Sequence, residues 1–174
     1  MPTAKRPRKP SATKRFAEIE RISILGITER MGPLALELYA EMYLAAAEAL
    51  PKPPVPFEPV RPYLVCHAIE LALKAFLSLK GSAMVDLADG QFGHKLSVIL
   101  KEAEGVDLLA LVPLTAAHRK AITSAESYYA GKVFEYPAVG EALSAYPGMP
   151  PLDALFEAAA LLTKSLATPC REAK

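Results

Sequence analysis

Four side chains that could do acid–base chemistry are spaced along one otherwise apolar stretch of the chain. Tyr63, His67, Glu70 and Lys74 follow one another at intervals of four, three and four residues. At about 100° of rotation per residue, this spacing places them in a line along one side of a helix. A histidine exchanges protons near neutral pH, and a glutamate four residues before a lysine favours an ion pair. The line predicts a polar pocket or a dimer contact, with a purely structural ion pair as the alternative.

The stretch that carries this line, residues 61–81, is predicted to form one long helix. Apolar side chains cover almost the whole circumference apart from the polar line. A helix that is apolar on most sides must be surrounded by other elements. An unpaired charge inside such a core is costly, so the polar line is expected to meet partners from elsewhere in the chain.

His94 is a second candidate binding residue, because it follows Gly93 at the predicted start of another helix. A histidine at this position is either a simple polar cap or part of a site. His67, Glu70 and His94 together could hold a metal, but carboxylate metal sites in helical bundles take carboxylates from several helices. We therefore predict neither a metal nor another cofactor.

Arg61 and His67 form a candidate catalytic pair with five residues between them. An arginine can stabilise charge on a phosphate while a histidine moves a proton, which is what a ribonuclease needs. Six residues of helix rotate by about 600° and rise by about 9 Å, so the two side chains point about 120° apart. Such a pair would have to work across a dimer interface. The chain has no serine-hydrolase motif, phosphate-binding glycine loop, Rossmann fingerprint or zinc module.

Composition favours one helical domain with tails. The chain has 174 residues, of which 52% are hydrophobic and 7% aromatic, with no tryptophan. Alanine and leucine dominate the apolar set, which favours helices over sheets. No acidic residue precedes Glu18, so the start of the chain is a basic tail that is either a solvated leader or a contact for a polyanion. Its basic residues are Lys5, Arg6, Arg8, Lys9, Lys14 and Arg15.

The helical periodicity predicts an all-α fold, an antiparallel up-and-down bundle of about five helices. We expect a tail over 1–27 with a helical or extended piece over 16–27, the bundle over 28–168, and a second tail over 169–174, with Thr168 and Pro169 ending the last helix. The predicted helices cover 29–50, 61–81, 93–104, 115–129 and 152–166, with Pro33 as a candidate first residue, Gly81 as a C-terminal cap and Thr115 as an N-cap. The connections are predicted as a stiff proline linker over 51–59, a loop over 82–92, a possible helical turn within 106–113 and an extended piece over 134–137.

Cellular location follows from the cysteines and from the lack of targeting signals. Cys66 and Cys170 have no zinc-ligand spacing, so both are predicted to be free thiols in a reducing compartment. The basic start is not followed by an apolar run typical of a signal peptide, and glutamates interrupt the apolar stretch over 34–50. We expect a cytoplasmic protein that does not associate with membranes.

Several of these segments together resemble the HEPN family, the higher eukaryotes and prokaryotes nucleotide-binding domain. The resemblance lies in the helix over 67–77, the glycine at 81, the Gly93-His94-Lys95-Leu96 start of the next helix, and the later segments 128–129 and 134–137. It covers roughly residues 35–165. It implies a helical bundle, commonly a homodimer, linked to RNA cleavage, toxin–antitoxin pairs, phage defence and nucleotidyltransferase partners.

Active members of that family carry an arginine and a histidine separated by four to six residues, in a late helix and with a polar residue after the arginine. The match here is Arg61 with His67, in an early helix and with Pro62 after the arginine. The resemblance thus implies a dimeric binding or regulatory module for RNA or nucleotides, with an antitoxin or a nucleotidyltransferase as a possible partner. The alternative is a metal-independent ribonuclease that pairs Arg61 with His67 across a dimer interface.

Overall fold

The computed structural model describes residues 31–51, 58–88, 92–136 and 146–173. The predictions for the basic tail and for residues 16–27 lie outside these ranges. So does most of the predicted proline linker, residues 52–57, as well as Pro137 at the end of the predicted extended piece.

Within the described ranges the chain forms helices and no strand, which confirms the all-α class. Five long helices correspond to the five predicted ones, and two short helices accompany them. In chain order they are α1 Pro33–Ala49, α2 Val60–Leu79, α3 Met84–Ala88, α4 Leu96–Gly105, α5 Leu108–Leu111, α6 Ala116–Tyr129 and α7 Leu152–Glu172.

Helices α1 and α2 form an antiparallel pair. Pro33 is the first residue of α1, as predicted, because the first turn of a helix needs no donor from its backbone nitrogen. At the other end of α1, the Arg61 guanidinium Nη2 donates to the carbonyls of Leu50 at 2.5 Å and Pro51 at 3.0 Å. The end of α1 is therefore fastened to the first turn of α2.

Helix α2 is the core of the bundle, as its sequence predicts. Twelve of its 20 residues are buried, including the large side chains of Ile69, Leu73 and Phe76. It packs against α1, α4, α6 and α7. Among the described residues it is the one helix long and apolar enough to span a membrane, but 67% of that window is buried by the protein's own helices. This burial is typical of the core helix of a soluble protein.

The ends of two helices confirm their predicted caps. Gly81 follows α2 with a φ of 96°, in the left-handed region that glycine adopts without strain. Thr115 is the N-cap of α6, and its side-chain oxygen accepts from the His118 backbone N–H at 3.2 Å. The ring of His118 returns the contact, since its Nδ1 accepts the Thr115 backbone N–H at 3.3 Å. The two residues form a capping box with histidine in the place of the usual glutamate or glutamine.

The predicted end of the last helix at Thr168 and Pro169 was wrong. Helix α7 continues to Glu172 with Pro169 inside it. Proline costs one backbone hydrogen bond there, but the extra turn buries the Cys170 side chain completely. Burial against the bundle therefore outweighs the local preference of proline, and residues 169–172 belong to the helix rather than to a tail.

Two connections also differ from prediction, and one agrees. The predicted loop over 82–92 contains the short helix α3, which buries Leu87 against the core. The predicted extended piece over 134–137 is wrong for its described part, because residues 131–135 form turns in which Lys132 O accepts from the backbone N–H of Glu135 and of Tyr136. The helical turn within 106–113 is confirmed as α5.

Candidate functional site

A buried carboxylate lies at the centre of the candidate site. The Glu70 side chain is 3% exposed and accepts hydrogen bonds on both of its oxygens. Lys74 Nζ donates to Oε1 at 2.6 Å, whereas Tyr129 Oη and His94 Nδ1 donate to Oε2 at 2.5 Å and 2.9 Å. His67 Nδ1 lies 3.7 Å from the same Oε2. We call His67, Glu70, Lys74, His94 and Tyr129 the Glu70 cluster.

Three parts of the fold position these side chains. Helix α2 supplies three of them from successive turns, Tyr129 is the last residue of α6, and His94 lies in the turn before α4. Lys74 fastens that turn, because its Nζ also donates to the Gly93 carbonyl at 2.9 Å. A single buried lysine thus holds the carboxylate on one side and the segment that presents His94 on the other.

Hydrogen-bond geometry determines where the protons of the cluster lie. Tyr129 Oη is 2.5 Å from Glu70 Oε2 and 2.6 Å from His67 Nδ1. Two unprotonated oxygens at such a distance would repel, so the phenol donates to the carboxylate and accepts from a protonated His67 Nδ1. His94 Nδ1 must likewise carry a proton to bond the carboxylate. The Nε2 atoms of both rings form no hydrogen bond to the described residues.

The charges of the cluster reinforce this arrangement. Burial would raise the pKa of Glu70, but the nearby His67, the hydrogen bond from His94 and the charge of Lys74 outweigh it and hold the pKa well below its ordinary value. The hydrogen bond to Glu70 raises the pKa of His94, against the opposing effect of burial. Burial, and then the charge of Glu70, raises the pKa of Tyr129 far above its ordinary value. Tyr129 therefore remains a neutral donor, while His94 binds its proton more tightly than a free histidine.

Aromatic rings enclose His67. The Tyr63 ring lies almost parallel to the imidazole, at 10° and 5.9 Å between centroids, and the Tyr43 ring meets it edge-on at 4.4 Å. The ring of His94 meets Tyr129 edge-on at 5.4 Å. The His94 side chain is 48% exposed and that of His67 is 18% exposed. The cluster is therefore buried at its carboxylate and open to solvent at its imidazoles.

The structure brings five of the six predicted site residues together. Tyr63, His67, Glu70, Lys74 and His94 all lie in or against the cluster. The sixth does not join them, because the Arg61 guanidinium bonds the carbonyls at the end of α1. This separation agrees with the rotation expected between positions 61 and 67. Within one chain the predicted catalytic pair is not assembled.

Sequence reasoning missed two residues of the site, Tyr43 and Tyr129. Tyr129 is 59 residues from Glu70 in the chain, so no helical spacing connects them. One feature of the sequence could have indicated Tyr129. Aromatic residues are scarce in this chain, at 7% with no tryptophan, and Tyr129 lies at the end of α6. Tyr43 lies on α1 and meets His67 of α2 edge-on.

The neighbouring cysteine is not suited to nucleophilic chemistry. Burial, with the charge of Glu70 adding to it, raises the pKa of the Cys66 thiol to about 12. A thiol that holds its proton this tightly is unreactive at neutral pH. Cys66 and Cys170 are both free, as predicted, and both are buried.

The donor set suits a hydrogen-bond network better than a metal ion. Ligand atoms of His67, Glu70 and His94 all lie within 4.8 Å of one another. However, Lys74 already occupies one oxygen of Glu70, and two further donors occupy the other. A bound cation would have to displace these protons and lie beside an ammonium group, which costs electrostatic energy.

No protein-family model, no curated protein and no solved structure matches the chain.

Proposed function

We propose that the chain is a HEPN-like helical module that binds RNA or a nucleotide at the Glu70 cluster and acts as a homodimer. The observation that carries this proposal is the cluster itself. Two imidazoles and an ammonium group surround one buried carboxylate, with tyrosine rings at their border and His94 half exposed. This combination offers positive charge for a phosphate and flat rings for a base.

Charge balance favours an anionic ligand at the exposed edge of the cluster. Glu70 and Lys74 neutralise each other, so a protonated His94 leaves the group with one net positive charge. The Nε2 of His94 is then a charged donor whose partner can be a phosphate oxygen. Because Glu70 holds Nδ1, the ring is already oriented before a ligand arrives.

The aromatic rings favour a ligand that also carries a base. Every nucleobase has a flat face, and stacking on an aromatic side chain is a common means of binding single-stranded RNA. Tyr63 is partly buried beside His67, and the two rings lie nearly parallel. A base stacked on Tyr63 would place its phosphate within the reach of the histidines.

The outward face of α1 supports the proposed homodimer. Leu38, Tyr39 and Met42 are 43%, 49% and 65% exposed, an unusual concentration of large apolar side chains on one surface. Tyr39, Met42, Tyr43 and Leu64 also line a groove of about 240 Å³ between α1 and α2. A two-fold axis through this face would pair it with itself in a second copy. Because Tyr43 contacts His67 as well, dimerisation would act directly on the site.

A toxin–antitoxin or defence role, with an antitoxin or a nucleotidyltransferase as the partner, belongs to the same proposal and is supported by the resemblance alone.

Binding is tested by fluorescence anisotropy with a labelled single-stranded RNA and, separately, with ADP. We expect His94→Ala and Tyr63→Ala each to weaken binding by about tenfold, as the loss of one stacked base or one charged hydrogen bond would do. His118→Ala is the matched control, because His118 also bonds a glutamate but lies outside the cluster. Equal loss in all three variants, or no loss in any, would refute the site.

The dimer is tested by light scattering coupled to size-exclusion chromatography. The wild-type chain is expected at twice the mass of one chain, 18.7 kDa, and Met42→Lys at a single mass, because a charge in the centre of the apolar face disfavours its burial. Lys164→Glu, on the exposed side of α7, serves as the control. A wild-type monomer at micromolar concentration contradicts this part of the proposal.

One observation favours the ribonuclease alternative: His67 has the geometry of an oriented base. Its Nδ1 is held by Tyr129 and through it by Glu70, which leaves the lone pair of Nε2 to accept a proton. For Arg61 to join it across a dimer interface, the guanidinium must leave the carbonyls of Leu50 and Pro51. His67→Ala should then abolish cleavage of a labelled RNA by the folded protein, and Arg61→Ala should do the same. Cleavage that survives both substitutions excludes this mechanism.

A further inference from the structure

A basic groove lies between α4 and α6, apart from the Glu70 cluster. Its volume is about 460 Å³, and Leu100 and Ala116 contribute apolar surface to it. Its polar lining consists of three cations, one carboxylate and three hydroxyls, namely Lys101, Arg119, Lys120, Glu104, Ser97, Thr123 and Ser124. The groove therefore carries two net positive charges in a chain whose overall formal charge is +1.

The cations of this groove are poorly neutralised. Lys101 and Lys120 are exposed and form no ion pair within the described parts of the chain. Arg119 has one long contact, from Nη1 to Glu104 Oε1 at 3.4 Å. Its Nε is buried and has no hydrogen-bond partner among the described residues. A guanidinium has five N–H donors, so most of the donors of Arg119 remain uncommitted.

We infer that this groove binds a phosphate-bearing ligand. Arginine, lysine and hydroxyl groups are the side chains that usually contact phosphate oxygens, and arginine can bind them with two parallel hydrogen bonds. The volume is within the range of small-molecule sites and accommodates one or two phosphate groups with an attached sugar. The shared chemistry is the phosphate group, whether it belongs to a free polyphosphate or to the backbone of a nucleic acid.

The cations, rather than the start of α4, are the binding element. Glu126 Oε2 already accepts from the Ser97 backbone N–H at 2.6 Å. A carboxylate therefore occupies the first turn of α4, where an anion would otherwise bind. Lys101 and Lys120 lie further along α4 and α6, so a phosphate is expected between them.

This inference stands apart from the proposed function, because it depends on none of the residues of the Glu70 cluster. The two surfaces share α4 and α6 all the same. His94 precedes α4 and Tyr129 ends α6. If both surfaces act on one strand, the groove holds its backbone while the cluster receives a base.

The test uses the full chain with two probes, inorganic pyrophosphate and a labelled single-stranded RNA. The double variant K101E/K120E reverses the two exposed charges, and Lys164→Glu on α7 is the matched control. Pyrophosphate is followed by the amide shifts of residues 97–104 and 116–124 in NMR spectra. RNA is followed by anisotropy at several salt concentrations.

We expect pyrophosphate to shift amides of the groove in the wild type and in K164E but not in K101E/K120E. For RNA we expect K101E/K120E to bind at least about tenfold more weakly, and the slope of log K against log salt to fall by about 1.4, the value for two lost phosphate contacts on a single strand. If only pyrophosphate responds, the ligand is a free phosphate compound. If K101E/K120E equals K164E with both probes, the inference is wrong.

Two further variants keep the outcomes separable. If K101E/K120E does not fold, the neutral variant K101Q/K120Q is used in its place. It should weaken phosphate binding in the same way but by a smaller factor. His94→Ala should leave the pyrophosphate shifts of the groove unchanged. If pyrophosphate shifts the amides of the groove but His94→Ala leaves RNA binding unchanged, this inference is supported and the proposed site is refuted. If the amides of the groove do not shift but His94→Ala weakens RNA binding, the proposed site is supported and this inference is refuted.

Discussion

Two histidine–carboxylate contacts in this molecule differ in the burial of their carboxylates. In the Glu70 cluster, His94 bonds a carboxylate that is 3% exposed. At the start of α6, His118 Nε2 lies 3.2 Å from Glu157, whose side chain is 69% exposed. Both ring nitrogens of His118 are engaged, one by its capping box and one by Glu157. Among the residues that the structure describes, His94 has a hydrogen-bond partner only for Nδ1. A buried carboxylate and a free second nitrogen distinguish a candidate site from a helix cap.

The largest difference between the two regions should appear when each carboxylate is removed. Glu70→Ala leaves the ammonium of Lys74 buried without its counter-ion, so we expect a loss of about 3–5 kcal/mol in the free energy of unfolding. Glu157→Ala removes an exposed partner and should cost at most about 1 kcal/mol. Urea denaturation followed by circular dichroism measures both. Similar losses in the two variants would mean that the burial of Glu70 has no energetic consequence.

Two adjacent tyrosines allow a second comparison, between a buried and an exposed hydrogen bond, with a smaller expected difference in the free energy of unfolding. Tyr129→Phe removes a buried donor to an ionised carboxylate and should cost about 1.5–3 kcal/mol. Tyr128→Phe removes an exposed hydrogen bond to the Pro147 carbonyl and should cost about 0.5–1.5 kcal/mol. The same denaturation experiment applies. An order reversed from this one would show that the phenol of Tyr129 is not bound to Glu70 in solution.

The smallest expected effect is a dependence of stability on pH. Because the folded pKa of His94 is raised above its ordinary value of 6.5, its protonation favours the folded state. That contribution is complete below pH 6.5 and is lost as the pH rises through the folded pKa. His94→Gln should flatten the stability profile in this window, while His118→Gln should leave the step in place. Thermal unfolding midpoints between pH 5.5 and 8.5 provide the measurement, and a wild-type profile without the step contradicts the assignment.

Local spacing was sufficient to predict the parts of the site that lie on one helix. Tyr63, His67, Glu70 and Lys74 share a side of α2 because of the helical repeat, and burial of that helix required partners for them. The identity of those partners depends on how α6 and the turn before α4 dock on α2, which no spacing encodes. His94 was named as a candidate from its place in the chain, and its contact with Glu70 became visible only in three dimensions.

Two of the errors in the fold have a common physical cause. Pro169 is a poor helix residue by local preference, yet α7 continues through it because Cys170 is buried in the bundle. Similarly, burial of Leu87 stabilises the helix α3 within a segment whose sequence is typical of a loop. In both places tertiary packing outweighs a local signal. The predictions that held, such as Pro33, Gly81 and Thr115 at helix ends, depend only on backbone geometry within one turn.

The distances along the chain between members of the cluster bear on how the protein is made. Glu70 receives one donor from its own helix, another 24 residues later and a third 59 residues later. While a ribosome is still synthesising α6, the glutamate has no tyrosine donor, and closing so long a loop carries an entropic cost. Burying Glu70 before Tyr129 is available would leave the carboxylate short of one donor, which is unfavourable. Completion of this core is thereby tied to the emergence of Tyr129 from the ribosome.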